Sequence, residues 1–334
     1  MFVLVDRANG GDPSHYKVAL VGIDGRLLKV LTPDEPTVNL SGQNSAPSLI
    51  SISNTRVYYL DGDTSVAYYS RDGSAGLATN LPGGPSKLVS FAVSPDDARI
   101  AFAIFDYSAG GPAVTISVQD LVGGGHKTAL YSSASSAEWP VAWNQGHVIL
   151  AVGSSLAPLP PDTSPFAIPN PYNATGGYRG VDATTGEVVD TIPPECAYGL
   201  LVAGGTPCSQ TGGGVGLRTW SGSTSWYANS REASFALREA LAPNGQTVAA
   251  NSSPGSIGLF DSGTKIDVIA GIAGPAVAMG WIDSTHLVVR RFYNSPPTAT
   301  IVDTKDGKTI DIVLSCGAST ALVACTDPVM FGTL

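Results

Sequence analysis

Along most of the chain, apolar and polar residues alternate in short runs of about four to eight, each bounded by Gly, Asn, Asp or Pro. This is the pattern of strands and turns, and a sustained helical period is nearly absent. The clearest stretch runs from Lys87 to Ser132. Leu88 to Val93 reads as a first strand and Ser94-Pro95-Asp96-Asp97 as a turn. Arg99 to Ile104, Ala113 to Gln119 and Lys127 to Tyr131 read as three further strands. Pro presets φ and Asp bonds the backbone, which suits a type I turn between the first two.

The third strand of this stretch ends at an Asp, and the same ending recurs along the chain. It appears at Val21-Gly22-Ile23-Asp24, Tyr69-Ser70-Arg71-Asp72, Ser117-Val118-Gln119-Asp120, Gly180-Val181-Asp182, Leu259-Phe260-Asp261 and Ile301-Val302-Asp303. The aspartates are 48, 48, 62, 79 and 42 residues apart. The widest gap has room for one degenerate copy, and Trp226-Tyr227-Ala228-Asn229 falls inside it. A period of roughly 40 to 50 residues with several strands per unit is the mark of a β-propeller. The expectation is an all-β, seven-bladed β-propeller of four-stranded antiparallel blades, forming one domain over residues 1–334. The fifth blade, from about Glu195 to Glu232, is irregular; six blades result if that region is an insertion. Blade one, with Phe2 to Val5, Tyr16 to Ile23 and Leu27 to Leu31, lacks one strand. A strand from the C-terminal tail would supply it, closing the ring and removing exposed edges.

The turn in the third blade also carries a family resemblance. Ser94-Pro95-Asp96-Asp97-Ala98-Arg99-Ile100-Ala101-Phe102 resembles the repeat of TolB-type propellers, which are similar to tryptophan-aspartate-repeat propellers. Leu241-Ala242-Pro243-Asn244-Gly245-Gln246-Thr247-Val248-Ala249 matches it well. Weaker copies begin at Gly280-Trp281 and Ala142-Trp143. The resemblance spans nearly the whole chain, specifies a fold and carries no chemistry. By resemblance only, it implies the extracytoplasmic sensor or binding part of an anchored bacterial protein.

Composition narrows the partners. Charged residues make up 13% of the chain, net charge is −9, and no basic cluster exceeds Arg290-Arg291. Phosphate binding without sequence preference needs a basic footprint, so nucleic acid is not an expected partner. No stretch approaches the roughly 18 to 20 apolar residues of a membrane span. Strand-like Phe2-Val3-Leu4-Val5 follows Met1, so the chain is read either as cytosolic or as having lost a leader or anchor. Four cysteines in two close pairs favour the second reading and an oxidising, extracytoplasmic compartment. The pairs are Cys196 with Cys208 and Cys316 with Cys325. Bridged Cα atoms lie within about 7 Å of each other. The residues between each pair must therefore bend, which puts the closing strand at Pro328 to Thr333.

Residues with chemical potential are few. There is no Gly-x-Ser-x-Gly elbow, and Ser262-Gly263-Thr264-Lys265 reads as a hairpin turn. His15, His126, His147 and His286 fall in different blades. Asp61-Gly62-Asp63 and Asp303 to Asp306 are the best acidic clusters, yet neither is a complete calcium loop. Asp at a strand end ordinarily bonds turn N–H groups. No metal and no cofactor is implied. Trp143 and Trp281 hold equivalent places in their blades, which points to packing between neighbouring sheets.

The strongest functional signal is an insertion at residues 155–177, between the second and third strands of blade four. It contains Pro158-Leu159-Pro160-Pro161, Phe166, Pro169-Asn170-Pro171 and Tyr172. Long ordered loops are uncommon and tend to be functional. Its neighbours Glu138, Trp139 and Tyr178 join the candidate ligand-binding set, as do Arg238 and Glu239, which interrupt an inner strand. The expected function is non-catalytic binding or scaffolding by a monomer, recognising a protein or a small-molecule or glycan ligand through its blade-connecting loops. The alternative is a glycan-active hydrolase or lyase in which Arg238, Glu239 and Tyr178 converge. A third reading, the gating half of a peptidase, needs a hydrolase domain that this sequence does not encode.

Overall fold

The computed structural model describes residues 1–6, 14–38, 48–108, 112–155, 174–197, 199–210, 214–229, 240–253, 256–261, 264–267, 276–291, 298–313 and 329–334. Its strands sort into seven antiparallel sheets, six of four strands and one of three. The fold is a seven-bladed β-propeller with the blades in sequence order. The chain divides into two compact units, residues 7–18, 31–193 and 334 in one, and 1–6, 19–30 and 194–333 in the other.

The first of these units holds blades two, three and four. Blade two comprises Ile50–Ile52, Arg56–Asp61, Ser65–Ser70 and Ala75–Asn80. Blade three comprises Lys87–Val93, Arg99–Asp106, Ala113–Asp120 and Thr128–Ser133. Blade four comprises Ser136–Asn144, His147–Ser155, Tyr178–Asp182 and Val188–Ile192. Blades stack face to face, so a strand well inside the stack is covered on both sides. That is why Leu88 to Val93 and Ile100 to Phe102 are buried without alternation, whereas the outer strand Ala75–Asn80 is exposed over Ala75-Gly76-Leu77.

Polar latches pin blade to blade. Between blades two and three, the Tyr58 hydroxyl donates to Asp97 Oδ1 at 2.9 Å, and Thr55 donates to the other oxygen. The Ser51 hydroxyl accepts the Val93 N–H at 2.8 Å. Between blades three and four, the Trp143 indole N–H donates to the Ala92 carbonyl at 2.9 Å, and Arg99 donates to the Ala183 carbonyl at 2.9 Å. Asp97 has a φ of +60°, unusual outside glycine, and the two hydroxyls on its carboxylate hold it there.

The second unit holds blades five, six and seven with most of blade one. Blade one runs in the order Val329–Thr333, Phe2–Asp6, Lys17–Val21 and Leu27–Leu31. The tail therefore supplies the missing strand. Phe2 pairs with Thr333 and Val5 with Val329. Blade five has Gly205–Gln210, Gly214–Thr219 and Thr224–Asn229. Blade six has Ala240–Leu241, Val248–Ser253, Ser256–Asp261 and Thr264–Asp267. Blade seven has Ala276–Trp281, His286–Arg291, Thr298–Asp303 and Thr309–Val313. Phe2, Leu4, Met279, Ile301 and Met330 share one apolar cluster, and Leu217, Leu241, Val248 and Phe260 share another. Each fully buried aliphatic side chain contributes about 1.5–3 kcal/mol. Trp281 repeats the Trp143 contact, donating to the Ala240 carbonyl of blade six at 2.9 Å. The two tryptophans are inter-sheet packing residues, as their equivalence predicts.

Two sequence readings are corrected here. The six-bladed alternative fails because residues 205–229 form their own sheet. The degenerate copy of the Asp ending is Gly216-Leu217-Arg218-Thr219, and Trp226 to Asn229 lie one strand further on. Thr219 stands where an Asp was sought. Its N–H bonds the Ser223 carbonyl at 2.9 Å, and its hydroxyl meets those of Ser221 and Ser223 at 2.7 Å each. Three hydroxyls do the work of one carboxylate, so the turn keeps its shape and loses its sequence signature. The chain before this blade is bent, with a single turn of 3-10 helix at Pro194–Cys196. The predicted Cys196–Cys208 disulfide is formed there, between two buried cysteines. Cys316 and Cys325 lie outside the described residues.

Candidate functional site

The site is built on blade four, whose register separates the candidate residues onto two faces. Glu138 lies opposite Val152, and Arg179 lies opposite Leu150, two positions along the same strand. These four share one face. Trp139 lies opposite Ala151, which in turn lies opposite Tyr178, so this row occupies the other face. Irregularities before Glu138 and after Pro140 free the strand locally from strict pairing.

On the first face, Arg179 Nη1 donates to Glu138 Oε1 at 2.9 Å and to Oε2 at 3.3 Å. The Glu138 side chain is only 2% exposed, against 33% for Arg179. Burial pushes the Glu138 carboxyl above its ordinary value, while the Arg179 charge and a hydrogen bond from Tyr131 pull it back. On the second face, Trp139 and Tyr178 are fully covered. The Trp139 ring lies so close to Gly153 that an added Cβ would stand 2.8 Å from its Cζ3. Glycine here is what lets the indole lie against the second strand.

The insertion falls between His147–Ser155 and Tyr178–Asp182, as predicted. Its return is clamped to the sheet. Gly176 donates to the Val152 carbonyl at 2.7 Å, and Val152 donates to the Gly177 carbonyl at 2.9 Å. Ala174, just before, is buried. Phe166 and Tyr172, and likewise Arg238 and Glu239, lie outside the described residues. Of the named candidates the structure thus places Glu138, Trp139 and Tyr178 in one sheet, with Glu138 on the face opposite the two aromatics.

Arg179 and Tyr131 were not singled out in the sequence. Arg179 left a faint signal, as a full charge in a third strand whose other residues are Tyr, Gly and Val ahead of the terminal Asp. Tyr131 left none, since it comes from the neighbouring blade.

The recurring aspartates have a structural role. Asp24, Asp72 and Asp182 accept turn N–H groups from Arg26, Ser74 and Thr184 with Thr185. Those bonds hold all three carboxyls below the usual range. Asp61 and Asp63 accept from Asp34 N–H and Thr37 N–H at 2.8 and 2.7 Å, tying a connecting segment to blade two. Asp303 and Asp306 accept from Lys305 N–H and Lys308 N–H. Among the described residues, no group of three or more His, Cys, Asp or Glu is placed to hold a metal ion. Nor does any helix among them have the length and apolarity to cross a membrane.

No protein-family model and no curated protein sequence matches the chain. Solved structures similar to it include TolB from Acinetobacter baumannii, at 12% identity and a TM-score of 0.48 over 99% of this chain. A mitotic checkpoint complex is similar at 14% identity and a TM-score of 0.46 over 82% of this chain and 79% of that one. An acylaminoacyl peptidase from Pyrococcus horikoshii is similar at 12% and 0.49 over 82% of this chain. The chain spans 66% of the TolB chain and 46% of the peptidase. At these identities nothing of those proteins' activities transfers to this chain.

Proposed function

We propose that this propeller is a non-catalytic, extracytoplasmic binding or scaffold module that recognises a protein or a small ligand through its blade-connecting loops. The contact region is the blade-four insertion at residues 155–177, with Phe166 and Tyr172 as its aromatic anchors. The observation that carries this reading is the footing of that insertion. It leaves and rejoins adjacent strands, its return is bonded to Val152, and the sheet beneath is fixed by the buried Glu138–Arg179 pair. A rigid footing and a proline-rich loop both reduce the ordering cost of binding. The Cys196–Cys208 bridge supports an oxidising compartment.

The test replaces residues 156–173 with a short Gly-Ser linker and compares both proteins as bait against the extracytoplasmic fraction of the native cells. The linker variant is expected to keep its unfolding midpoint and to lose the proteins or ligands that the parent retains. Equal retention by both would overturn the reading. Alkylation and mass spectrometry of the protein taken from those cells checks the compartment. A reduced Cys196–Cys208 pair would contradict it.

A further inference from the structure

Blade five carries an aromatic residue where its fold does not call for one. Trp226 lies in the outermost strand of that blade, opposite Gly216, and is 39% exposed. An added Cβ on Gly216 would stand 2.5 Å from the Ser225 carbonyl oxygen, 2.8 Å from Trp226 Cε3 and 3.2 Å from Cδ2. The six-membered ring of the indole is therefore seated against bare backbone. Glycine beneath lets the ring lie close to the sheet.

The same place in other blades shows that packing does not require this ring. Three residues before the turn, the third strand holds Ala67, Ser117, Gly216, Gly258 or Thr300 in blades two, three, five, six and seven. The partners across are Leu77, Ala129, Trp226, Asp267 and Asp311. The inner member is small in these five blades, whereas in blade four it is Arg179, opposite Thr191. Leu77, Ala129, Trp226 and Asp311 are all exposed. It is a solvent-facing position that accepts an alanine or an aspartate, so the tryptophan is not part of the repeat's core.

The surroundings define what would sit on it. Trp226 shares its face with Thr224 and Arg218, which pair with each other one step nearer the turn. Arg218 is anchored by a 2.9 Å bond from Nη1 to the Gly222 carbonyl. Residues 221–226 are exposed throughout and include Ser221, Ser223 and Thr224. Tyr227 packs instead against the apolar cluster that holds Leu217 and Phe260. Among the described residues of blade five, Trp226 is the only exposed large hydrophobic side chain. One ring edged by hydroxyls is too little apolar surface for the core of a protein interface. It suits a sugar ring, whose C–H face stacks on the indole while its hydroxyls meet Thr and Ser oxygens and the guanidinium.

We propose that Trp226, Gly216, Arg218 and Thr224 form a carbohydrate-binding platform that takes a hexopyranose unit of a neutral β-linked oligosaccharide. This site is separate from the blade-four insertion and does not depend on it. The probes are the β-1,4-linked hexasaccharides of glucose, galactose and N-acetylglucosamine, titrated by calorimetry into the whole chain. At least one is expected to bind, and W226A to weaken it about tenfold or more, as loss of an aromatic anchor does. W226Y should recover part of that loss. Thermal unfolding of W226A and W226Y checks that both are folded; because the position is exposed, their midpoints should match the parent. Absence of heat with all three hexasaccharides at millimolar concentration would overturn the proposal. So would equal affinity in W226A and the parent.

Discussion

Removing the Arg179 charge while leaving Glu138 in place, by R179M, tests whether blade four rests on a desolvated ion pair. The Glu138 side chain is 2% exposed and bonded to Arg179 at 2.9 Å. Stripping one partner from a buried pair costs about 3–5 kcal/mol, because an uncompensated charge is left behind. Arg179 is one-third exposed, so water already screens part of the attraction, and the low end, about 3 kcal/mol, applies. That is about a hundredfold in the ratio of folded to unfolded chains. The sign with pH follows from the Glu138 carboxyl, which burial holds above its ordinary value. The folded chain binds that proton more tightly than the unfolded chain does. Stability from this group is therefore greatest below the unfolded carboxylate value and falls as pH rises towards the folded one. R179M raises the folded value further, so its loss should be larger at pH 7 than at pH 4. Urea unfolding followed by tryptophan fluorescence reads both conditions. E138Q/R179M, which removes the charge and keeps the shape, should recover most of the loss at pH 7. An R179M deficit equal at the two pH values, or a double variant no more stable than R179M, would refute the reasoning.

Two further perturbations address the latches between and before blades. Y58F removes the hydroxyl that bonds Asp97 at 2.9 Å and should cost about 1.5–3 kcal/mol, as a lost bond to a charged group does; an unchanged urea midpoint would count against the latch. Burial pushes the Tyr58 phenol up to about 12, so its support for the fold is intact below the free phenol range and is lost as pH climbs towards 12. Ultraviolet titration should show a late-ionising tyrosine population, joined by Tyr107 at about 12, that shrinks in Y58F. Replacing both Cys196 and Cys208 by Ala should lower stability by about 3 kcal/mol, the loop-entropy value for a bridge across 12 residues, read as a fall in urea midpoint.

Much of this fold was legible in the sequence because each blade repeats the same local chemistry. The strands read at Leu88 to Val93, Arg99 to Ile104 and Ala113 to Gln119 appear as Lys87–Val93, Arg99–Asp106 and Ala113–Asp120. The closing strand read at Pro328 to Thr333 appears as Val329–Thr333. Blade five was misread because Thr219, Ser221 and Ser223 share among three side chains what one Asp does elsewhere. The candidate site was legible only in part. Glu138 was visible only as a neighbour of the insertion; its partner Arg179 is 41 residues away, and only register reveals that they share a face. Trp139 was read as a ligand anchor, and its close fit over Gly153 depends on strand pairing that no local pattern encodes.

The pairing of Phe2–Val5 with Val329–Thr333 also bears on the order in which the blades form. Blade three gathers its strands from within residues 87–133, whereas the innermost pair of blade one joins strands from opposite ends of the sequence. Loop-closure entropy rises with separation along the chain, so this pairing carries the largest such cost among the seven sheets. Blade one is therefore expected to be the last sheet to form. Until it does, the edge of Phe2–Asp6 is an open template on which another chain can pair.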